Sequence, residues 1–187
     1  MENYRINTNY AKALYLLATD TSSVDTVYND MKLVEEVCTK NHILNVVFGN
    51  PTIREAKKVA IIQELFGEKV EKVTLLFLSF VVRKRRAVNL NGIASAYIDM
   101  YRENNNIVLA ELRTAVDVDV DEETRAMIRR VVGEYTNQTV ELKDITDIRM
   151  LGGFCLKFNN YLYDARLRRK LAKLRIEFSK NIYEKGI

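Results

Sequence analysis

The chain has 187 residues, enough for one large domain or two small ones, and its 48% hydrophobic content suits a packed core rather than a disordered chain. Its net charge of +4 permits contact with nucleic acid or an anionic membrane but does not favour either. The longest apolar stretch, residues 73–82, is about half of the ~20 residues that a membrane-spanning helix requires.

Helical periodicity runs through residues 4–105 and predicts a bundle of six helices joined by short turns. Helix five, at about residues 68–84, is apolar nearly all round, and helix one has two apolar stripes. Both helices thus have more apolar surface than one core-facing stripe requires. This leaves two interpretations, central burial or an exposed groove that awaits a partner. The stripes of helix one are Ile6, Tyr10, Leu14 and Leu17, and Ala11, Tyr15 and Ala18.

Turn and cap residues divide this bundle. Ser23 is predicted to be the N-cap of helix two. Pro51, the only proline, begins helix four at about Thr52, because proline lacks a backbone donor and fits only the first turn. Gly67 is expected to be the C-cap of helix four. Helix six is predicted at about residues 89–105.

A change of period at Asn104-Asn105-Asn106 marks the expected boundary between a domain of residues 1–105 and a domain of residues 106–187. The second domain is predicted to be small and α+β. It has one or two strands at residues 107–118, a helix that Asp121 caps, two further strands and a final helix at about residues 165–183. The predicted fold class is therefore mainly α, a six-helix bundle followed by a small α+β domain.

Residues 140–159 have the sequence VELKDITDIRMLGGFCLKFN, in which two alternating strand patterns flank Gly152-Gly153. Adjacent glycines before a strand indicate positive φ or a close backbone approach. The whole ordered string, from the apolar alternation through Thr146-Asp147 to Gly152-Gly153-Phe154 and Asn159, resembles the C-terminal signature of the ATP synthase delta subunit family. The mitochondrial member is called the oligomycin-sensitivity-conferring protein.

Three other segments resemble the same family in the same order along the chain. One departure is Ala165, where the family often has serine, and it puts a cap or turn contact in doubt at that position. The segments are Tyr10-Ala11-Lys12-Ala13-Leu14-Tyr15, Asn50-Pro51 with Ile53 and Lys57-Lys58, and Tyr163-Asp164 with Arg168 and Leu171.

The resemblance implies a non-catalytic subunit of the ATP synthase peripheral stalk, which links the catalytic head to the membrane-anchored b subunit and resists rotary torque. It implies no cofactor, no metal and no homo-oligomer. With no signal or transit peptide pattern in the sequence, we expect a peripheral location on the cytoplasmic face of a bacterial membrane, reached only through the complex.

The resemblance also implies two partner sites. The first domain is expected to bind the N-terminal helix of an alpha subunit, and the second the C-terminal end of the b subunit. The implied alpha groove is lined by Tyr10, Ala13, Leu14, Leu17, Val73, Leu76, Phe77 and Phe80. The candidate b-docking residues are Arg166, Arg169, Lys170 and Lys173, and the structural signature comprises Gly152, Gly153, Phe154 and Asp164.

Catalytic chemistry finds little support in the residues themselves. His42 has no recognisable partner, Cys38 and Cys155 have no metal-type spacing, and the chain contains no phosphate-binding G-x-x-x-x-G-K-[ST] loop. The acidic run around Asp121 lacks the glycine and final glutamate of a calcium loop, and carboxylates at a helix start explain it more simply.

A second functional reading is a helical nucleic-acid-binding protein that uses two basic clusters. One is Arg83-Lys84-Arg85-Arg86, and the other spans Arg166 to Arg175. Cations at the end of helix five also suit its negative dipole end, and those on the last helix suit a solvated face or an acidic partner. Binding to nucleic acid that collapses with salt would be the mark of this alternative.

Overall fold

The computed structural model describes residues 2–115, 120–150 and 152–165, with side chains from residue 4 onward. In these residues the protein is mainly helical, with a small four-stranded sheet toward the C-terminus. Its contacts divide the chain into two compact units, Met1–Asn104 and Asn105–Ile187. Apart from Ala165, the predicted final helix lies outside the described residues.

The first unit is built around its last helix, which packs against the first and second helices. Ile93, Ala94 and Tyr97 of this helix are fully buried. The Tyr97 hydroxyl donates to the carbonyl of Val24 at 3.4 Å, and burial raises the pKa of Tyr97. The elements are α1 (Glu2–Asp20), α2 (Val24–Lys40), α3 (His42–Gly49), α4 (Glu55–Phe66), α5 (Lys72–Arg83), a 3-10 turn (Ala87–Asn89) and α6 (Leu90–Asn104).

Two helices of the first unit begin later than the sequence predicts. Helix α4 starts at Glu55 rather than Thr52, because the Asn50 carboxamide oxygen accepts the Thr52 N–H at 2.9 Å and forms a separate turn. Helix α5 starts at Lys72 rather than residue 68, since Glu71 has extended backbone angles. The sequence thus predicts both helices correctly but extends each of them over the turn that precedes it.

Two predicted caps also form differently. Ser23 precedes α2 but makes no side-chain cap, because its hydroxyl hydrogen-bonds the Thr21 hydroxyl at 2.7 Å. Gly67 is the C-cap of α4, as the sequence predicts, but it has right-handed helical angles and not the left-handed ones of the usual glycine cap. A Cβ at this position would meet the Gln63 carbonyl oxygen, which is a steric reason for glycine.

The second unit is a sheet of strand order β2-β1-β3-β4 with a helix on one face. Strands β1 and β2 are parallel, so their connection needs a crossover, and the helix α7 provides it. Strand β3 is antiparallel to both β1 and β4. The elements are β1 (Ile107–Thr114), α7 (Glu122–Thr136), β2 (Thr139–Thr146), β3 (Phe154–Phe158) and β4 (Tyr161–Asp164).

The core of the second unit lies between α7 and the sheet. Val108, Ala110 and Leu112 alternate along β1 and are buried, as the period of two requires. Val132 of α7 and Leu156 of β3 complete the cluster. Asp121 precedes α7 but makes no side-chain cap.

The signature glycines lie where the chain turns into β3. Gly152 has φ of 142° and Gly153 has φ of 82°, conformations that side chains rarely adopt. Phe154 then pairs with Thr114 of β1, and Asp164 pairs with Cys155 at the end of β4. The Ala165 N–H donates to the Phe154 carbonyl at 3.0 Å, so a backbone bond closes this end of the sheet without the family's serine. These residues shape the sheet.

Candidate functional site

An apolar cleft of about 670 Å³ lies between α1 and α5 in the first unit. We call it the α1–α5 cleft. Its residues recur at spacings of three and four on each helix, so each helix presents one face to it. The lining comprises Asn9, Tyr10, Ala13, Leu17, Val73, Leu76, Phe77 and Phe80.

Helix α1 divides its apolar residues between the core and the cleft. Ala11, Leu14 and Ala18 are fully buried in the core, whereas Tyr10 and Leu17 line the cleft. Leu14, which the family resemblance placed in the groove, therefore belongs to the core beneath it. The other seven predicted residues line the cleft.

Helix α5 is also apolar on two sides. Leu78 and Val81 are buried in the core, while Leu76 is 71% exposed and Phe80 is 47% exposed. Phe77 serves both surfaces, since it lines the cleft and is also part of the core cluster. Both interpretations of this helix, burial and an exposed groove, therefore apply to different faces.

The cleft is open, and Asn9 is the one polar residue in its lining. The Tyr10 and Phe80 rings approach from opposite walls, with centroids 6.5 Å apart. The Lys84 Nζ lies 5.4 Å from the centroid of the Phe80 ring. Sequence reasoning missed Asn9 because it is polar, although it lies four residues before Ala13 on the same face. Such a surface can bury the apolar face of an amphipathic helix.

A second apolar groove, of about 560 Å³, lies in the second unit between α7 and the strands β3 and β4. We call it the α7–sheet groove. The Tyr135 and Tyr161 rings meet edge to face within it, with centroids 5.1 Å apart. Six of its apolar or aromatic side chains are more than half exposed: Met127, Val131, Tyr135, Tyr161, Leu162 and Tyr163.

The alternating strands predicted the sheet that carries this groove, but not the groove itself. An alternating pattern specifies neither the order of the strands in the sheet nor the position of the helix. It therefore does not predict the exposed face of β4. The predicted b-docking residues Arg166, Arg169, Lys170 and Lys173 lie outside the described residues.

The side chains that invite a catalytic interpretation, His42, Cys38 and Cys155, line neither apolar surface. His42 is exposed at the start of α3. Burial raises the pKa of the Cys38 thiol to about 11, which keeps it in the unreactive protonated form. Among the described residues, no three histidine, cysteine or carboxylate side chains are grouped to hold a metal ion.

The basic cluster after α5 contacts the start of α4 through one of its arginines. Arg83 is the last residue of α5, and the Arg85 Nε lies 2.9 Å from the Glu55 Oε1. This pair is largely exposed and contributes little to stability.

Within the described part of the chain, no helix is long and apolar enough to cross a membrane.

Comparison with known proteins gives one consistent result. The profile of the family described as ATP synthase delta (OSCP) subunit matches residues 6–178. The ATP synthase subunit delta of Cytophaga hutchinsonii is 33% identical over 97% of this chain and 98% of its own length. Those of Flavobacterium psychrophilum and Christiangramia forsetii are 31% and 30% identical, over 96% and 98% of this chain and 99% and 98% of their own lengths.

A solved structure shares the fold. A chain of the Toxoplasma gondii mitochondrial ATP synthase hexamer superposes with a TM-score of 0.67, at 18% identity, over 92% of this chain and 97% of that chain. The nucleic-acid-binding alternative receives no support from the matched proteins.

Proposed function

Because the chain belongs to the ATP synthase delta (OSCP) family, and is thus a non-catalytic peripheral-stalk subunit, we propose that its α1–α5 cleft binds the N-terminal helix of an alpha subunit. The observation that carries this proposal is the apolar cleft with exposed anchors on both walls. Leu17 is 44% exposed on α1, and Leu76 and Phe80 stand opposite on α5. Side chains left exposed in this way become energetic anchors when a partner covers them.

The proposed task is to hold the static head against the torque of the rotating shaft. Such a task requires slow dissociation rather than chemistry, and slow dissociation follows from well-packed apolar anchors. The chain would act on the cytoplasmic face of a bacterial membrane, which it reaches only through its partners. The six helices of the first unit form the bundle that carries the alpha contact.

Titration of an alpha-subunit N-terminal peptide onto the full-length protein tests this assignment. We expect saturable binding that persists when salt is raised from about 0.05 to 0.5 M, because the cleft is apolar and apolar burial is not screened. A scrambled peptide of the same composition is the control. Absence of binding, or equal binding of the scrambled peptide, would refute the assignment.

The second unit is proposed to bind the C-terminal end of the b subunit. A linker needs two separate contact surfaces, and each unit has its own apolar surface. The α7–sheet groove, with Leu162 and Tyr163 exposed on β4, is the described surface that suits a second partner. The cations Arg166, Arg169, Lys170 and Lys173 follow β4 in sequence and would suit acidic groups of that partner.

Site-directed photo-crosslinking in the assembled complex distinguishes the two surfaces. A photoreactive residue in place of Leu162 is expected to crosslink to the b subunit, whereas one in place of Leu76 should crosslink to an alpha subunit. Ile43, which is exposed on α3 outside both grooves, provides the control position. Crosslinks from b to the Leu76 position alone would reject the assignment of the second unit.

A further inference from the structure

A buried carboxylate on α2 holds the start of α5, one wall of the α1–α5 cleft. Asp30 is only 7% exposed. Its Oδ2 accepts the backbone N–H of Glu71 at 2.9 Å and the hydroxyl of Thr74 at 2.7 Å. Thr74 is fully buried, so its bond to Asp30 forms away from bulk water, while the bond from the Glu71 N–H is partly buried. The acceptor and its two donors are 41 and 44 residues apart in sequence.

These bonds replace a local cap. The first N–H groups of a helix have no partner within the helix, and a nearby side chain usually accepts one of them. Glu71 precedes α5 and makes no side-chain cap of its own. Asp30 therefore caps α5 from another helix, and its negative charge suits the positive end of the helix dipole.

Apolar packing alone specifies the rotation of α5 weakly, because this helix has apolar side chains on nearly every face. A turn about its axis would exchange one leucine for another at the core. The buried Thr74 hydroxyl, by contrast, has its described partner in Asp30, and losing this bond leaves a buried polar group unsatisfied. The first turn then has one favourable rotation, with Thr74 inward and Val73 toward the cleft.

We propose that Asp30 is a positioning residue for the α1–α5 cleft: it fixes the rotation of α5 so that Val73, Leu76 and Phe80 face a bound helix. The inference rests on the proposed function of the cleft. Asp30 does not line the cleft. It acts through Thr74 and the Glu71 backbone.

The test compares affinity with stability. Asp30→Ala is expected to weaken binding of the alpha-subunit peptide roughly ten-fold at temperatures where the variant is fully folded. Val34→Ala removes a buried side chain from the same helix and is the matched control: it should lower the melting temperature and leave affinity unchanged. Asp30→Asn keeps a carbonyl acceptor and should restore most of the affinity.

A second measurement needs no partner. Spin labels attached at Lys12→Cys and Lys72→Cys, two exposed positions, report the distance between α1 and the start of α5. We expect Asp30→Ala to broaden the distribution of this distance and Val34→Ala to leave it unchanged. Should Asp30→Ala not fold, Thr74→Val takes its place in both measurements. If Asp30→Ala and Val34→Ala change affinity and distance alike, or neither changes them, the positioning role is wrong. If the wild-type protein does not bind the peptide, the proposed function fails, and the distances alone decide the role of Asp30.

Discussion

Leu76→Asp is expected to weaken binding of the alpha-subunit peptide by about 4 kcal/mol, roughly a thousand-fold. Leu76 is exposed in the free protein and lines the cleft, so a carboxylate there costs little until a helix covers it. Covering the carboxylate with an apolar partner face then removes its hydration without supplying a hydrogen bond. Isothermal titration calorimetry at moderate salt measures the change directly.

The control for this substitution is Ile43→Asp. Ile43 is 77% exposed on α3, close to the exposure of Leu76, and it does not line the cleft. The change in charge and apolar area is therefore nearly the same at both positions. Affinity should fall for Leu76→Asp alone. Unchanged binding by a folded Leu76→Asp protein would show that the partner helix lies elsewhere.

Leu14→Ala is expected to lower the free energy of unfolding of the first unit by about 3–5 kcal/mol. Leu14 is fully buried, so truncation removes apolar contacts and leaves a cavity in the core. For a unit of this size such a loss lowers the melting temperature by roughly 15 °C or more. Urea unfolding followed by far-ultraviolet circular dichroism, where helical signal dominates, measures the loss.

Leu17→Ala, one turn further along the same helix, is expected to affect peptide binding and to have little effect on stability. Leu17 lines the cleft and is partly exposed, so its truncation should cost less than about 1 kcal/mol of stability while weakening peptide binding. Leu14→Ala should leave the affinity of the folded protein nearly unchanged. Comparable stability losses for the two variants would contradict the division of α1 between core and cleft.

This division shows why the periodicity of α1 predicted a helix but not its orientation. The fully buried residues of α1 are Ala11, Leu14 and Ala18, and two of these three side chains are single methyl groups. Large side chains at Tyr10 and Leu17 dominate the pattern, although they face the cleft. A hydrophobic stripe therefore marks the larger side chains, whereas the fully buried residues of α1 include small ones.

Other features depend on contacts that no local pattern contains. The start of α5 is set by Asp30, 41 residues away from Glu71, so the connecting turn was absorbed into the predicted helix. In the second unit, the alternating patterns predict β2 and β3, but not their places on either side of β1, which depend on the crossover through α7 and on the antiparallel pairing of β3 with β1. Gly152-Gly153 is the exception, because a requirement for positive φ is written in the residue type itself.

The position of β1 at the interior of the sheet has a consequence for synthesis on the ribosome. Both of its neighbours, β2 and β3, come later in the chain, so β1 emerges with two unpaired edges. The first unit can fold while this happens, since its described helices precede residue 105. One edge of β1 can pair once β2 is complete at residue 146, but the other stays open until β3 is complete at residue 158, so this strand can pair with other chains while the second unit is being synthesised.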